Sequence, residues 1–296
     1  MTEEAHQQWQ GRTDGNRWMQ RSLIAGFKII PLRVYYAIVA VVVVFYMIFN
    51  HSAYLATYRF FRKRMGYGKL KSFIHVYRNQ YNFGKVVIDR FACYADIRFK
   101  IVVDGQHIID RLTTAKEGFL QLGAHVGNIE IAGYMTTSKD KHLNVLAYAG
   151  ETQTVMENRK KIFSHRGVTV VPVAADLSHI FILNDALSRG EVVGISADRM
   201  FGSSKSQRCS FFGEEVRFPT GPFLMAVQRE VEAVSFFVMK QDVHTYKVYV
   251  RILEVDRNAS KREQLQQLAQ SFASNLEDIV RLYPTQWYNY YDFWNQ

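Results

Sequence analysis

The feature that most constrains the fold is a recurrence of short apolar runs, at 118–124, 143–148, 168–173, 191–196, 233–240 and 246–253. Stretches of helical length, such as 152–164 and 177–188, separate several of them. Runs this short are strand-sized, and strands that alternate with helices build an α/β sheet whose strands are largely parallel and flanked by helices. Ahead of them, the alternation of Ile97, Phe99, Ile101 and Val103 reads as a half-buried strand turning at Asp104-Gly105, after a helical stretch over 69–91. The last two runs are joined by a short polar turn, which predicts an antiparallel hairpin at the far end of a mixed sheet. Between 261 and 282, Leu265, Leu268, Phe272, Leu276, Ile279 and Val280 fall at steps of three and four and stop before Pro284, the pattern of a helix docked along one apolar stripe. The tail over 287–294 is rich in aromatics, which suits either a cap on the core or rings at the lipid headgroup level. With 296 residues, 48% of them hydrophobic, the chain suffices for a single catalytic domain, read as 56–296, plus an N-terminal attachment.

That attachment is a run over 34–49 with no charge and aromatics at both ends. It reads as a membrane-associated or transmembrane helix over 34–55, following a basic amphipathic segment over 1–33. The run is shorter than the roughly 20 residues that cross a hydrocarbon core comfortably. It also starts too far from Met1, and lacks the small-residue site, for a cleaved signal peptide. Arg17, Arg21, Lys28 and Arg33 precede it and Arg59, Arg62, Lys63 and Arg64 follow it, so the asymmetry that orients a single crossing is missing. An in-plane or re-entrant helix with both flanks on the cytoplasmic face suits this pattern better than one crossing, and a buried β-branched core segment is the alternative.

A formal net charge of +10 fits an anionic membrane surface, an acidic carrier protein or nucleic acid. There is no zinc-finger spacing, RNA-recognition signature or basic heptad, and the basic residues cluster beside apolar segments, so no nucleic acid partner is expected. Cys93 and Cys209 stand far apart, and His51, His75, His142, His165, His179 and His244 are scattered without ligand spacing. Neither a disulfide framework nor a bound metal is expected.

The chemistry concentrates in Leu122-Gly-Ala-His125-Val-Gly-Asn-Ile-Glu130, where an apolar strand hands over to a helix. An imidazole there can take a proton from an attacking hydroxyl near neutral pH if a carboxylate fixes its tautomer and stabilises the imidazolium. His125 belongs on the loop and Glu130 on the following helix, because on one regular helix the pair would face different ways. Gly123 and Gly127 suit the tight turn this requires. The plainer reading is a satisfied histidine beside a surface glutamate.

Three further stretches follow in order: Ala197-Asp198-Arg-Met-Phe-Gly202, Phe211-Phe-Gly213 before Phe218-Pro-Thr-Gly-Pro-Phe223, and Tyr283-Pro-Thr-Gln-Trp287 before Phe293-Trp294. Together with the His125 to Glu130 motif, they resemble the late lipid A biosynthesis acyltransferases of lauroyl/myristoyl type, in the lysophospholipid acyltransferase superfamily. The likeness spans roughly residues 95 to 296. Upstream, Trp9-x-Gly11 and Val87-Ile-Asp-Arg90 are similar to a branch found with aryl-polyene pigment genes as well as lipid genes.

The resemblance implies O-acyl transfer from an acyl thioester, on acyl carrier protein or coenzyme A, to a lipid hydroxyl, most simply of a lipid A-type glycolipid. It places the enzyme at the bacterial inner membrane with its catalytic domain facing the cytoplasm, and it implies no cofactor. His125 would be the general base and Glu130 its orienting carboxylate. Asp198 would belong to the second motif, although the family commonly shows Asp-Gln or Asp-His where this chain has Asp198-Arg199. Arg159 or Arg166 would supply the family's phosphate- or carrier-facing arginine. Thr220 and Gly221, at a helix start, would favour an anion, and Phe211, Phe212, Phe223 and Leu224 are available to line an acyl slot. Another lipid or an aryl-polyene head group is the alternative acceptor. A thioesterase or lipid hydrolase would use the same imidazole with water, and a non-catalytic membrane scaffold would not need His125.

Overall fold

A computed structural model describes residues 17–135, 141–147, 163, 165–174, 176–200 and 205–295. The sheet contains β1 (Lys100–Asp104), β2 (Phe119–Gly123), β3 (Leu143–Ala147), β4 (Val168–Pro172), β5 (Val192–Ser196), β8 (Glu232–Lys240) and β9 (Thr245–Ile252). Their order is β1-β9-β8-β2-β5-β3-β4. All neighbours are parallel except β8 and β9. The sheet is therefore mixed and mostly parallel, as the run pattern predicts. The hairpin does not end it, however, because β1 lies outside β9 with Ile101 opposite Tyr246. Pairing there satisfies the backbone edge that β9 would otherwise expose.

Central strand β2 is buried on both faces, as a parallel strand covered by helices should be. Leu120 and Leu122 enter one core with α7 (Ser178–Ser188), α8 (Thr220–Arg229) and α9 (Lys261–Leu282). Phe119 enters the other with α5 (Gln106–Thr114), α6 (Ile129–Met135) and the end of α4 (Lys69–Tyr94). Helix α9 has the bounds its apolar stripe predicts and begins with a capping box between Ser260 and Glu263. The helix expected over 152–164 lies outside the described residues, except for Phe163.

A second, unexpected hairpin pairs β6 (Ser206–Phe211) with β7 (Glu214–Pro219). Its two turn residues, Phe212 and Gly213, have φ of 53° and 76°, the left-handed pair that matches the twist of two adjoining strands. Phe211 and Phe223 are fully buried and Phe212 nearly so, and Phe211 packs on Trp287, Phe293 and Trp294. These phenylalanines thus fill the core instead of lining an open slot, and only Leu224 reaches the surface. The aromatic tail caps the core, with Trp287 and Phe293 buried.

Near the N-terminus, α1 (Arg17–Gly26), α2 (Leu32–Phe49), α3 (His51–Arg59) and a π-turn (Phe60–Arg64) lead into α4. Helix α2 is long and apolar enough to cross a membrane, with a mean hydropathy of 2.3, yet one side of it is docked. Tyr77 of α4 donates to the Ala40 carbonyl at 2.9 Å, and the Tyr36 hydroxyl donates to Asp89. The helices meet at Gly84, where a Cβ would lie 2.4 Å from Val39 Cγ1, so only glycine permits the approach without displacing Val39. The opposite side leaves Ile38, Val41, Val42, Phe45, Ile48 and Phe49 exposed. A division at residue 56 would cut through α3 and would separate α2 from its docking surface.

Candidate active site

The register of β2 on β5 assembles the site. Gly123 pairs with Ser196, and the ladder continues as Ala197 N–H donates to the Gly123 carbonyl at 2.9 Å. His125 and Asp198 each stand two residues beyond that last pair, so they emerge side by side at the carboxyl ends of adjacent parallel strands, where open α/β sheets place ligands. Asp198 binds His125 twice. Its Oδ2 accepts from the His125 backbone N–H at 2.9 Å, and its Oδ1 lies 2.8 Å from Nδ1. A carboxylate at Nδ1 assigns the proton to that nitrogen and leaves the Nε2 lone pair able to accept one.

Asp198 is 2% exposed and the His125 side chain 36%, so the orienting group is dry while the imidazole reaches solvent. Burial alone would raise the Asp198 carboxyl, but the His125 ring, its hydrogen bonds and the Arg199 guanidinium outweigh burial and hold it below the ordinary carboxylate value. Arg199 in turn donates to the Tyr288 carbonyl at 3.1 Å, which ties the second motif to the C-terminal tail.

The loop after His125 turns at Gly127, whose φ is +56° and whose missing Cβ would sit 2.0 Å from the Val238 carbonyl oxygen. Asn128 N–H donates to that same oxygen at 2.7 Å. Gly127→Ala is therefore expected to destabilise the protein by more than about 1 kcal/mol and to lower turnover by shifting His125. Thermal unfolding together with initial rates would check this, and an unchanged pair of values would remove Gly127 from the account.

Glu130 lies in the first turn of α6, where a negative charge is favoured, and pairs with Arg90 of α4 at 2.9 Å. The carboxylate bonded to the His125 ring is thus Asp198, where Glu130 was expected to orient it, and the sequence placed Asp198 in the site without linking it to His125. Arg166 precedes β4, at the end of the sheet opposite His125, and lies close enough to Cys93 for its charge to act there. Arg159 lies outside the described residues. Thr220 and Gly221 open α8 behind the second hairpin, where the Thr220 hydroxyl accepts from Gln207 at 3.1 Å. A cavity of about 350 Å³, lined by residues such as Glu232, Glu254 and Arg257, opens at the start of β8, away from the site.

Sequence reading missed a buried charge pair beside the site. Asp89 is fully buried, and Lys240 of β8 donates to it at 2.7 Å. The hydroxyls of Tyr36 on α2 and Tyr246 on β9 donate to it too. Burial lowers the Lys240 ammonium even against the pull of Asp89. The Val87-Ile-Asp-Arg90 stretch thus divides its labour: Asp89 joins α2 to the sheet, and Arg90 joins α4 to Glu130.

Among curated proteins, none matches the chain. Residues 80–294, which include every described strand and the pair at His125, match the family described as bacterial lipid A biosynthesis acyltransferase. The chain belongs to that acyltransferase family.

Proposed function

We propose that the protein moves a fatty acyl chain from an acyl thioester to a hydroxyl of a lipid acceptor, with His125 as general base. The observation that carries this reading is the imidazole held at Nδ1 by a buried carboxylate, with the ring open to solvent. Nε2 takes the proton of the acceptor hydroxyl as its oxygen attacks the thioester carbonyl, and Asp198 offsets the imidazolium charge. Collapse of the tetrahedral intermediate breaks the C–S bond, and the proton leaves with the carrier thiol. Glu130 acts through Arg90 as a positioning residue that holds α6, and hence the loop, against α4.

No acyl-enzyme is required. Cys93 and Cys209 are buried, and burial pushes both thiols up, that of Cys209 to about 12, so neither serves as a thiolate nucleophile near neutral pH.

The acceptor is a hydroxylated membrane lipid, most simply a lipid A-type glycolipid, and the donor is an acyl carrier protein, which suits the +10 net charge. The exposed apolar side of α2, continued by Leu70 and Phe73 of α4, lies in the plane of the cytoplasmic leaflet of the inner membrane. A simple crossing is disfavoured because α2 is docked along α4, which would carry Lys71, Arg78 and Lys85 into the bilayer with it.

The test is acyl transfer by the full chain in detergent, with acyl-carrier and acyl-coenzyme A donors and a hydroxylated glycolipid acceptor, followed by mass spectrometry. An acylated lipid is expected, formed faster from the carrier and with a rate that falls as salt rises. Free fatty acid released at the same rate with or without acceptor would assign a thioesterase instead. Equal use of both donors without salt dependence would remove the carrier.

A further inference from the structure

The stretch Tyr283-Pro-Thr-Gln-Trp287 has no role in the chemistry above, yet its main chain runs beside the loop that carries His125. Beyond the end of β2 that loop leaves the sheet, and its backbone groups need other partners. The tail supplies them. Tyr288 N–H donates to the His125 carbonyl at 2.9 Å, and Gly127 N–H donates to the Gln286 carbonyl at 2.8 Å. Val126 and Trp287 form an antiparallel bridge between these bonds.

The side chain of Gln286 fixes that added strand to the sheet. Its Oε1 accepts from Lys240 N–H at 2.9 Å, and its Nε2 donates to the Lys240 carbonyl at 2.9 Å. One buried amide thus replaces a pair of backbone partners at the end of β8. On the other flank, Asn79 of α4 donates to the Trp287 carbonyl at 2.7 Å. His125 is therefore gripped from two sides, by Asp198 at its N–H and ring and by the tail at its carbonyl.

We infer that Gln286 is a positioning residue for acyl transfer, anchoring residues 286–288 as a strand that sets the place of His125 and the reach of its Nε2 toward the acceptor. The inference rests on His125 being the base. Gln286→Ala leaves His125 and Asp198 chemically intact and frees the strand that holds the His125 loop. An error of about 1 Å in a reacting group can cost on the order of 10²-fold in rate.

The experiment compares full-length wild type, Gln286→Ala and Phe293→Leu in detergent. It measures kcat, donor KM, the melting temperature, and the Nδ1–H proton resonance of His125 in protein labelled with ¹⁵N-histidine. Gln286→Ala is expected to lower kcat by about tenfold or more, with donor KM within about twofold, and to lose or shift the Nδ1–H resonance bonded to Asp198. Phe293→Leu, which trims a ring packed on Phe211 and Trp287 but keeps Gln286 and its hydrogen bonds to Lys240, should lower the melting temperature and leave both kcat and the resonance as in wild type. Wild-type kcat and an unmoved resonance in Gln286→Ala overturn the inference, as does an equal loss of kcat in Phe293→Leu. Should Gln286→Ala not be recovered folded, Asn79→Ala, which releases the tail at Trp287, carries the same two expectations. A wild type that acylates no lipid would defeat the proposed function, while the resonance would still report whether Gln286 places His125.

Discussion

Replacing His125 with alanine is expected to lower kcat for acyl transfer by on the order of 10² to 10⁴ while leaving the donor KM and the fold unchanged. The His125 side chain is 36% exposed, so its loss removes the proposed base without opening a closed cavity. Asp198→Asn should approach the same loss by a different route. In the wild type both carboxylate oxygens accept, one from the backbone N–H and one from the ring. An amide offers a single acceptor, so its NH₂ must face one of two donors, or the ring must surrender its Nδ1 proton and carry it on Nε2, where it cannot act as base. The lowered Asp198 pKa has a matching signature: its stabilising contribution is present above the ordinary carboxylate value and fades as pH falls through its own lower value in the folded protein. Stopped assays on detergent-solubilised variants, paired with chemical denaturation from neutral to acid pH, would check both. Full transfer by folded His125→Ala would end the proposed mechanism.

Asp89→Ala is expected to be the most destabilising substitution described, at about 3–5 kcal/mol, because it strands a buried ammonium and two tyrosine hydroxyls at once. The Lys240 side chain is 8% exposed and finds only the Val243 carbonyl, at 3.2 Å, as a further described hydrogen-bond partner. Asp89→Asn separates charge from hydrogen bonding. Without the carboxylate, Lys240 in the folded protein titrates further below its unfolded value, so charging it opposes folding at every pH below its folded value. The penalty should shrink as pH rises from that value toward the ordinary lysine range. Urea denaturation of both variants between neutral pH and pH 10 reads this directly. A deficit under about 1 kcal/mol, or one independent of pH in Asp89→Asn, would mean that water reaches the pair.

The strands of the main sheet were legible because most carry a compact apolar run and β1 an apolar alternation, and α9 because its stripe repeats at helical steps over its full length. Strands β6 and β7 were not, since Ser206-Gln-Arg-Cys-Ser-Phe211 and Glu214-Glu-Val-Arg-Phe218 carry mostly polar side chains and turn at a Phe-Gly pair without the usual Asn or Asp. Within the site, His125 stood out by its place between a strand and a helix, and Asp198 by the end of its apolar run. Their partnership was invisible locally, because it depends on β2 and β5 being neighbours, and adjacency across a sheet leaves no periodic trace. Glu130 drew the orienting role through its closeness in sequence and the resemblance of the motif. Asp89 was visible only inside the Val87-Ile-Asp-Arg90 resemblance and its burial was not, since one aspartate in an amphipathic helix looks like part of a solvated face until the sheet is packed against it.

Because His125 and Asp198 each lie two residues past one hydrogen-bonded pair, the separation between them is inherited first from the spacing of neighbouring strands. What has to be kept is a count. One residue inserted or removed between Gly123 and His125, or between Ser196 and Asp198, sends one member of the pair to the opposite side of the sheet. Variation in length therefore belongs at the other ends of these strands, where a longer loop leaves the proton-transfer distance untouched.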